Sequence, residues 1–121
     1  MTEITQVERM RIRHAVRGAY DMQKFRIGTG NRMVANFRVK LGIPPSTKEA
    51  DAEAEKQEII KRLREEYKLF ADAVAANRRI TKFPKEGIIS DKTDLDMVSN
   101  YLLLEGQEAI LMADAKKLVS K

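Results

Sequence analysis

The sequence contains no cysteine and no tryptophan, only one histidine, and few aromatic residues of any kind. Without cysteine there is no disulfide framework and no thiol-ligated metal, and a single histidine cannot supply a zinc site of the usual type. The apolar runs are far too short to span a bilayer, and the charged start MTEITQVERMRIRH lacks the apolar stretch of a signal peptide. These absences predict a cytoplasmic protein without metal, cofactor or membrane segment.

Positive charge is distributed very unevenly along the 121 residues, a length that predicts one helical domain over residues 1–121. The net charge is +5, of which residues 1–42 carry +6, residues 43–80 carry 0 and residues 81–121 carry −1. This asymmetry predicts an acidic partner for the first third of the chain, or docking of that third on the protein's own acidic helices.

A first helix is predicted to begin at the capping box Thr5-Gln6-Val7-Glu8 and to run to about Ile27. Gly28-Thr29-Gly30-Asn31 follows, and it indicates either a C-cap and turn or a weak spot inside one longer helix. Helical spacing then resumes until Gly42 and Pro44-Pro45, which end the pattern because proline cannot continue a helix.

A second capping box, Ser46-Thr47-Lys48-Glu49, predicts a long helix that ends near Arg78. Asp91 or Thr93 is expected to cap a last helix that runs to about Val119. No segment alternates with a period of two for long enough to demand a strand. We therefore predict an all-α protein, a bundle of three to four long amphipathic helices.

The predicted core positions step by three and four residues along each helix. They are Ile12, Val16, Ala19, Met22 or Gln23, and Ile27 on the first helix; Ile60, Leu63, Tyr67, Phe70 and Val74 on the second; and Met97, Tyr101, Leu104, Glu108, Leu111, Ala115 and Leu118 on the last. The seams at 60–74 and 97–118 resemble heptads, which also makes a homodimer a candidate arrangement.

Glu108 is the one polar residue on the last seam, and it suggests a buried ion pair. A partly buried arginine needs a carboxylate, because an unpaired buried charge is too costly. We expect Arg26 or Arg32 to pair with Glu108, with Glu105 as the alternative carboxylate, and the pair to fix the register of two helices.

A second interpretation assigns the basic residues of the first third to nucleic-acid binding. Guanidinium and amide groups donate readily to phosphates. The candidate contacts are Arg13, Arg17, Lys24, Arg26, Asn31, Arg32, Arg38 and Lys40. Both interpretations can hold with different arginines in each role. Aromatics interleave with these residues, and Tyr20, Phe25 and Phe37 are expected in the core more than in stacking on bases.

No pattern in the sequence points to catalysis. The segment Gly28-Thr29-Gly30 lacks the Gly-Lys-Ser/Thr ending of a phosphate-binding loop, and no strand is predicted before it. The acids at positions 49, 51, 53 and 55 alternate along a helix and do not converge on one face. His14 lies among arginines, which favours a surface or phosphate-contacting role. We predict no enzyme, no catalytic residue and no small-molecule substrate.

Two stretches resemble a known family. Residues 20–37 are similar to a pattern YDxQxxRIxxGNRxVANF, and residues 87–108 are similar to GxISD followed by YLxLxxxE. Both resemble the helical N-terminal region of small phage and archaeal proteins described as transposase-like, over about residues 8 to 118. The resemblance implies a viral or mobile-element context, work on nucleic acid and, for a phage protein, the host cytoplasm.

This chain departs from that family in two ways. The helix-hairpin-helix part with its Gly-Ile-Gly-Pro signature is absent, and so is an acidic catalytic cluster. Recombinase activity is therefore not implied, and the chain is expected to be a fragment or a stand-alone relative. Two hypotheses follow: DNA or other nucleic-acid binding through phosphates, or protein–protein interaction as a small phage-encoded inhibitor or adaptor that engages an acidic protein surface and forms a dimer.

Overall fold

The computed structural model describes residues 5–44 and 46–119, and within them the chain forms four helices and no strand. These are α1 (Gln6–Leu41), α2 (Glu49–Tyr67), α3 (Ala71–Ala75) and α4 (Lys92–Val119). Three are long and α3 is a single short turn of helix. The predicted all-α helical bundle is confirmed.

Helix α1 has the predicted start but does not end near Ile27: residues 28–31 lie inside one longer helix, which is the alternative expectation. The hydroxyl of Thr5 accepts a hydrogen bond from the Glu8 backbone N–H at 3.2 Å. At the other end Gly42 has a φ of +68°, and its N–H donates to the Val39 carbonyl while that of Ile43 donates to the Arg38 carbonyl. These two bonds form a Schellman motif that closes the helix. Pro45 lies outside the described residues.

The prediction that Ser46-Thr47-Lys48-Glu49 forms a second capping box is wrong. Helix α2 begins at Glu49 after Lys48, and no side chain caps it. The hydroxyl of Ser46 instead donates to the Glu55 carboxylate at 2.8 Å, so it is used by a residue further along α2 rather than by the first turn. At the last helix, Asp91 is confirmed as the cap, because its carboxylate accepts the Asp94 N–H at 2.8 Å.

The predicted end of the second helix near Arg78 is also wrong. Helix α2 ends at Tyr67, and three successive bonds between residues three apart tighten residues 65–70 before α3 begins. Phe70 is buried there and its ring lies 5.5 Å from the ring of Phe83. Asn77, with a φ of 52°, then ends α3 in a second Schellman motif. The sequence pattern predicts a helix that continues to Arg78, but the packing of Phe70 on Phe83, a residue of a later segment, favours a break after Tyr67.

The described residues divide into two compact units. Unit 1 contains α1 up to Gly28 and α4 from Leu103, and unit 2 contains Thr29–Leu102. Helices α1 and α4 therefore each contribute to both units. The expectation of a single domain remains a prediction.

Unit 2 holds the hydrophobic core. Its buried apolar side chains come from α1, α2, α4 and the segment before α4: Met33, Val34, Phe37, Ile59, Ile60, Leu63, Phe70, Ile88, Ile89, Leu95, Val98 and Tyr101. The predicted seam at 60–74, which continues from α2 into α3, is confirmed as a core face, with Tyr67 and Val74 partly buried against the core. Burying each such side chain stabilises the fold by roughly 1.5–3 kcal/mol.

Unit 1 buries much less. Among its described residues only Ala19, Glu108 and Ala115 are buried. Two residues predicted on the apolar stripe of α1 are exposed rather than buried, Val16 at 44% and Ile27 at 40%. Unit 1 is built from segments of only two helices, so part of the apolar stripe of α1 has no further helix to pack against and stays in solvent.

Candidate functional site

Four cations form a row along one exposed face of α1 in unit 1. Arg9, Arg13, Arg17 and Lys24 are all exposed and follow one another at steps of four, four and seven residues. A helix turns once in 3.6 residues, so these steps keep the four side chains on one side. The row extends about 22 Å along the helix axis at 1.5 Å per residue. We call these four residues the basic row.

The basic row has no acidic partner in the part of the chain that the structure describes. No carboxylate of residues 5–44 or 46–119 forms an ion pair with any of its members. Its four charges therefore face solvent and repel one another, which is the arrangement that attracts a polyanion.

Three of the predicted nucleic-acid contacts are instead bound to acidic groups. Arg26 donates through Nε to the buried carboxylate of Glu108 on α4. This is the pair that the sequence suggested, and both residues lie in unit 1. Arg26 is consequently turned toward α4 and away from the basic row.

In unit 2, Arg38 and Lys40 are likewise engaged by carboxylates. The guanidinium of Arg38 lies 3.3 Å from the Glu55 carboxylate and donates to the Ala52 carbonyl at 3.2 Å. Lys40 donates to Asp94 and lies 3.8 Å from Asp91. These residues tie α1 to α2 and α4, which is the self-docking that the charge asymmetry allowed as an alternative.

The Lys40–Asp94 contact shifts the pKa of both of its groups. Burial on its own raises the pKa of Asp94, but hydrogen bonds from Lys40 and from the backbone N–H and hydroxyl of Ser90 outweigh it, and the net pKa is lowered. The hydrogen bond to Asp94 in turn raises the pKa of Lys40. Both groups are therefore held in their charged forms.

Asn31 and Arg32 are exposed residues of unit 2. Glu105, the alternative carboxylate for the predicted tie, is half-buried in unit 1. The other six predicted contacts separate into two sets. Arg13, Arg17 and Lys24 share one face in unit 1, whereas Arg26, Arg38 and Lys40 are held by the fold.

The expectation that the aromatics belong to the core is wrong for two of them. Phe37 is buried, but the side chains of Tyr20 and Phe25 are 60% and 55% exposed. Tyr20 lies between Arg17 and Lys24 in the basic row, and the Lys24 ammonium is 5.8 Å from the centre of its ring. A cation at that distance is attracted by the face of the ring.

Tyr20 also borders an open groove of unit 1 between α1 and α4. The groove has a volume of about 670 Å³. Its lining is mostly apolar, with one amide and one ammonium: Val16, Ala19, Tyr20, Gln23, Met112, Ala115, Lys116 and Val119. Sequence reasoning missed the groove, and it also left Arg9 out of the phosphate contacts, although the step from Arg9 to Arg13 to Arg17 is visible in the sequence.

Within the described residues there is no group of three or more side chains arranged to hold a metal ion. In the same residues no helix combines the length and apolar character needed to cross a bilayer. Comparison of the chain with known protein families, with curated proteins and with solved structures found no match.

Proposed function

We propose that this protein binds nucleic acid mainly through the phosphate backbone, and that the basic row of α1 is the contact surface. The observation that carries the proposal is the set of four exposed cations on one helix face, none of which forms an ion pair with a carboxylate of the described residues. Arginine donates two parallel hydrogen bonds to a phosphate, and lysine contributes a point charge. The role is binding without catalysis, in the host cytoplasm for the phage or mobile-element context that the sequence resemblance implies.

Salt dependence tests the mechanism directly. Each phosphate that a cation neutralises releases counterions, so four contacts give a slope of log affinity against log salt of about −3.6 on duplex DNA. A fourfold increase in salt should then weaken binding about 150-fold. We would titrate the protein against labelled duplex DNA and RNA by fluorescence anisotropy at several salt concentrations.

A charge-matched pair of variants locates the surface. Arg13→Ala/Arg17→Ala should reduce the salt slope by about 2, because two phosphate contacts are lost. Lys82→Ala/Lys85→Ala removes the same charge from exposed positions of unit 2 and should leave the slope unchanged. Equal loss in both double variants, or an affinity that hardly responds to salt, would refute the basic row as the binding surface.

Protein–protein interaction is the second candidate, and the outer face of α4 favours it. Leu103 and Ile110 are 61% and 64% exposed and alternate with Gly106 and Ala113 at steps of three and four residues. The seam at 60–74 belongs to the core of unit 2, and the residues of the seam at 97–118 are buried or half-buried, so the exposed outer face of α4 is the better candidate for a dimer surface.

The molecular mass in solution tests the homodimer form of this second candidate. If the outer face of α4 binds another copy, light scattering at high protein concentration should give a dimer, and Ile110→Lys should return it to a monomer. A monomeric mass at all concentrations excludes the homodimer, and a partner with an acidic surface then remains for this candidate.

A further inference from the structure

Phosphate binding by the basic row gives no role to the exposed aromatic ring of Tyr20. The other two tyrosines are held inside unit 2, where Tyr101 is 2% exposed and the hydroxyl of Tyr67 lies 3.4 Å from that of Ser99. Tyr20 instead projects at 60% exposure between two members of the basic row. Along the helix axis it is about 4.5 Å from Arg17 and about 6 Å from Lys24.

The groove beside Tyr20 offers apolar surface that phosphates cannot use. Its lining includes the side chains of Val16, Met112 and Val119. Unit 1 is nevertheless basic, since residues 5–28 and 103–119 together carry eight lysine and arginine side chains against five acids. The matching ligand must therefore be acidic and must also carry a flat or apolar group within reach of the acid.

We infer that the ligand at unit 1 is single-stranded nucleic acid, with phosphates on the basic row and a base stacked on Tyr20 at the mouth of the groove. This rests on the proposed function. An unpaired strand joins each phosphate to a base whose faces are free, so it matches both parts of the surface. In a duplex the base faces are covered by their neighbours, and Tyr20 and the groove would stay empty.

The test compares a short labelled oligothymidylate with a duplex of the same length, at one salt concentration. Wild-type protein should bind the oligothymidylate more tightly. Tyr20→Ala should weaken that binding about tenfold, in line with the loss of one stacked base, and leave duplex binding unchanged. Tyr20→Phe keeps the aromatic face and should restore the affinity.

Phe25→Ala is the control variant. Phe25 is 55% exposed on the same segment of α1, but it lies outside the basic row and the groove lining. Its removal should leave oligothymidylate binding unchanged. Thermal unfolding followed by circular dichroism shows whether each variant keeps its helices, as expected for exposed positions.

Tyrosine fluorescence gives an independent measure of stacking. The chain has no tryptophan, so emission comes from its three tyrosines alone. Oligothymidylate should quench part of that emission in the wild type and none of it in Tyr20→Phe, where Tyr67 and Tyr101 remain inside unit 2.

The outcomes separate the two levels of inference. Equal affinity for single strand and duplex, with no effect of Tyr20→Ala, overturns stacking but leaves the basic row as a phosphate surface. An absence of any binding at low salt overturns the proposed function itself. Tighter binding of an acidic helical peptide than of oligothymidylate, lost in Tyr20→Ala, overturns the single strand in favour of a protein partner.

Discussion

Gly30 lies directly against the ring of Tyr101, where α1 and α4 meet in unit 2. A Cβ atom built on Gly30 would be 2.9 Å from Cε2 of that ring. Tyr101 is 2% exposed and belongs to the core, so its ring has little space into which to move. A glycine that resembles a turn signal in the sequence is therefore a packing residue inside a continuous helix.

Gly30→Ala should destabilise the protein by about 1–3 kcal/mol, because overpacking at the ring outweighs the roughly 1 kcal/mol that alanine contributes to a helix interior. Denaturant unfolding followed by circular dichroism measures the difference. Gly18→Ala is the control, since nothing lies within 4 Å of a Cβ there, and it should stabilise by about 0.5–1 kcal/mol. Equal effects of the two substitutions would contradict the close approach.

The carboxylate of Glu66 secures the segment before α4. It accepts the backbone N–H groups of Ile88 at 2.7 Å and Ile89 at 3.2 Å. Glu66→Ala leaves both donors unsatisfied in a buried place, so we expect a loss of about 2–4 kcal/mol in the free energy of unfolding.

The neighbouring acid supplies the control for Glu66. Glu65 is exposed, and its backbone carbonyl accepts a bond from the Lys68 N–H, which substitution of the side chain retains. Glu65→Ala should change the free energy of unfolding by no more than about 0.5 kcal/mol. Comparable losses in the two variants would show that the Glu66 carboxylate does not hold the segment.

The Arg26–Glu108 pair should be more sensitive to loss of one partner than to loss of both. Arg26→Ala leaves the Glu108 carboxylate, with a side chain 10% exposed, without its guanidinium. We expect destabilisation of about 2–4 kcal/mol from that single change. The double variant Arg26→Met/Glu108→Leu replaces the pair by apolar groups and should recover to within about 1 kcal/mol of the wild type. An additive loss in the double variant would argue against the pair.

Unit 2 should lose stability in acid, because the Asp94 carboxylate becomes protonated there. Because the folded pKa of Asp94 is lowered, its contribution to stability is complete above the ordinary carboxylate value of about 4 and is lost as the pH falls toward the folded pKa. Lys40 acts in the opposite range: its pKa is raised, so its contribution is complete at neutral pH and is lost above about pH 10.4.

The check is the free energy of unfolding measured from neutral pH to below pH 4. Asp94→Asn should be less stable than the wild type at neutral pH and should show a flatter decline in acid. Asp96→Asn, at an exposed position of the same helix, should follow the wild-type curve. A decline in Asp94→Asn as steep as that of the wild type would assign the acid sensitivity to other carboxylates.

The elements that local chemistry determines were predictable from the sequence. The hydroxyl of Thr5, the left-handed Gly42 and the carboxylate of Asp91 each satisfy backbone groups within a few residues, so their roles follow from the sequence alone. The same reasoning failed at Ser46, whose hydroxyl bonds nine residues away, and at Phe70, whose ring packs on Phe83. Those contacts depend on the tertiary structure.

The candidate site likewise combines features that the sequence contains with contacts that depend on the tertiary structure. Four-residue spacing brings Arg13 and Arg17 onto one face, and the sequence contains that spacing. It does not contain the position of Asp94 beside Lys40 or of Glu55 beside Arg38, because those partners come from other helices. The sequence therefore predicted a larger set of outward cations than the fold leaves exposed.

The bonds from Glu66 also have a consequence for amide hydrogen exchange. Ile88 and Ile89 lie outside any helix, where backbone protons ordinarily exchange quickly with solvent. Their N–H groups are bonded to a side chain of α2, so their exchange should be slow and should depend on separation of the segment from that helix. Two protons in a non-helical segment thereby report how often the core of unit 2 opens.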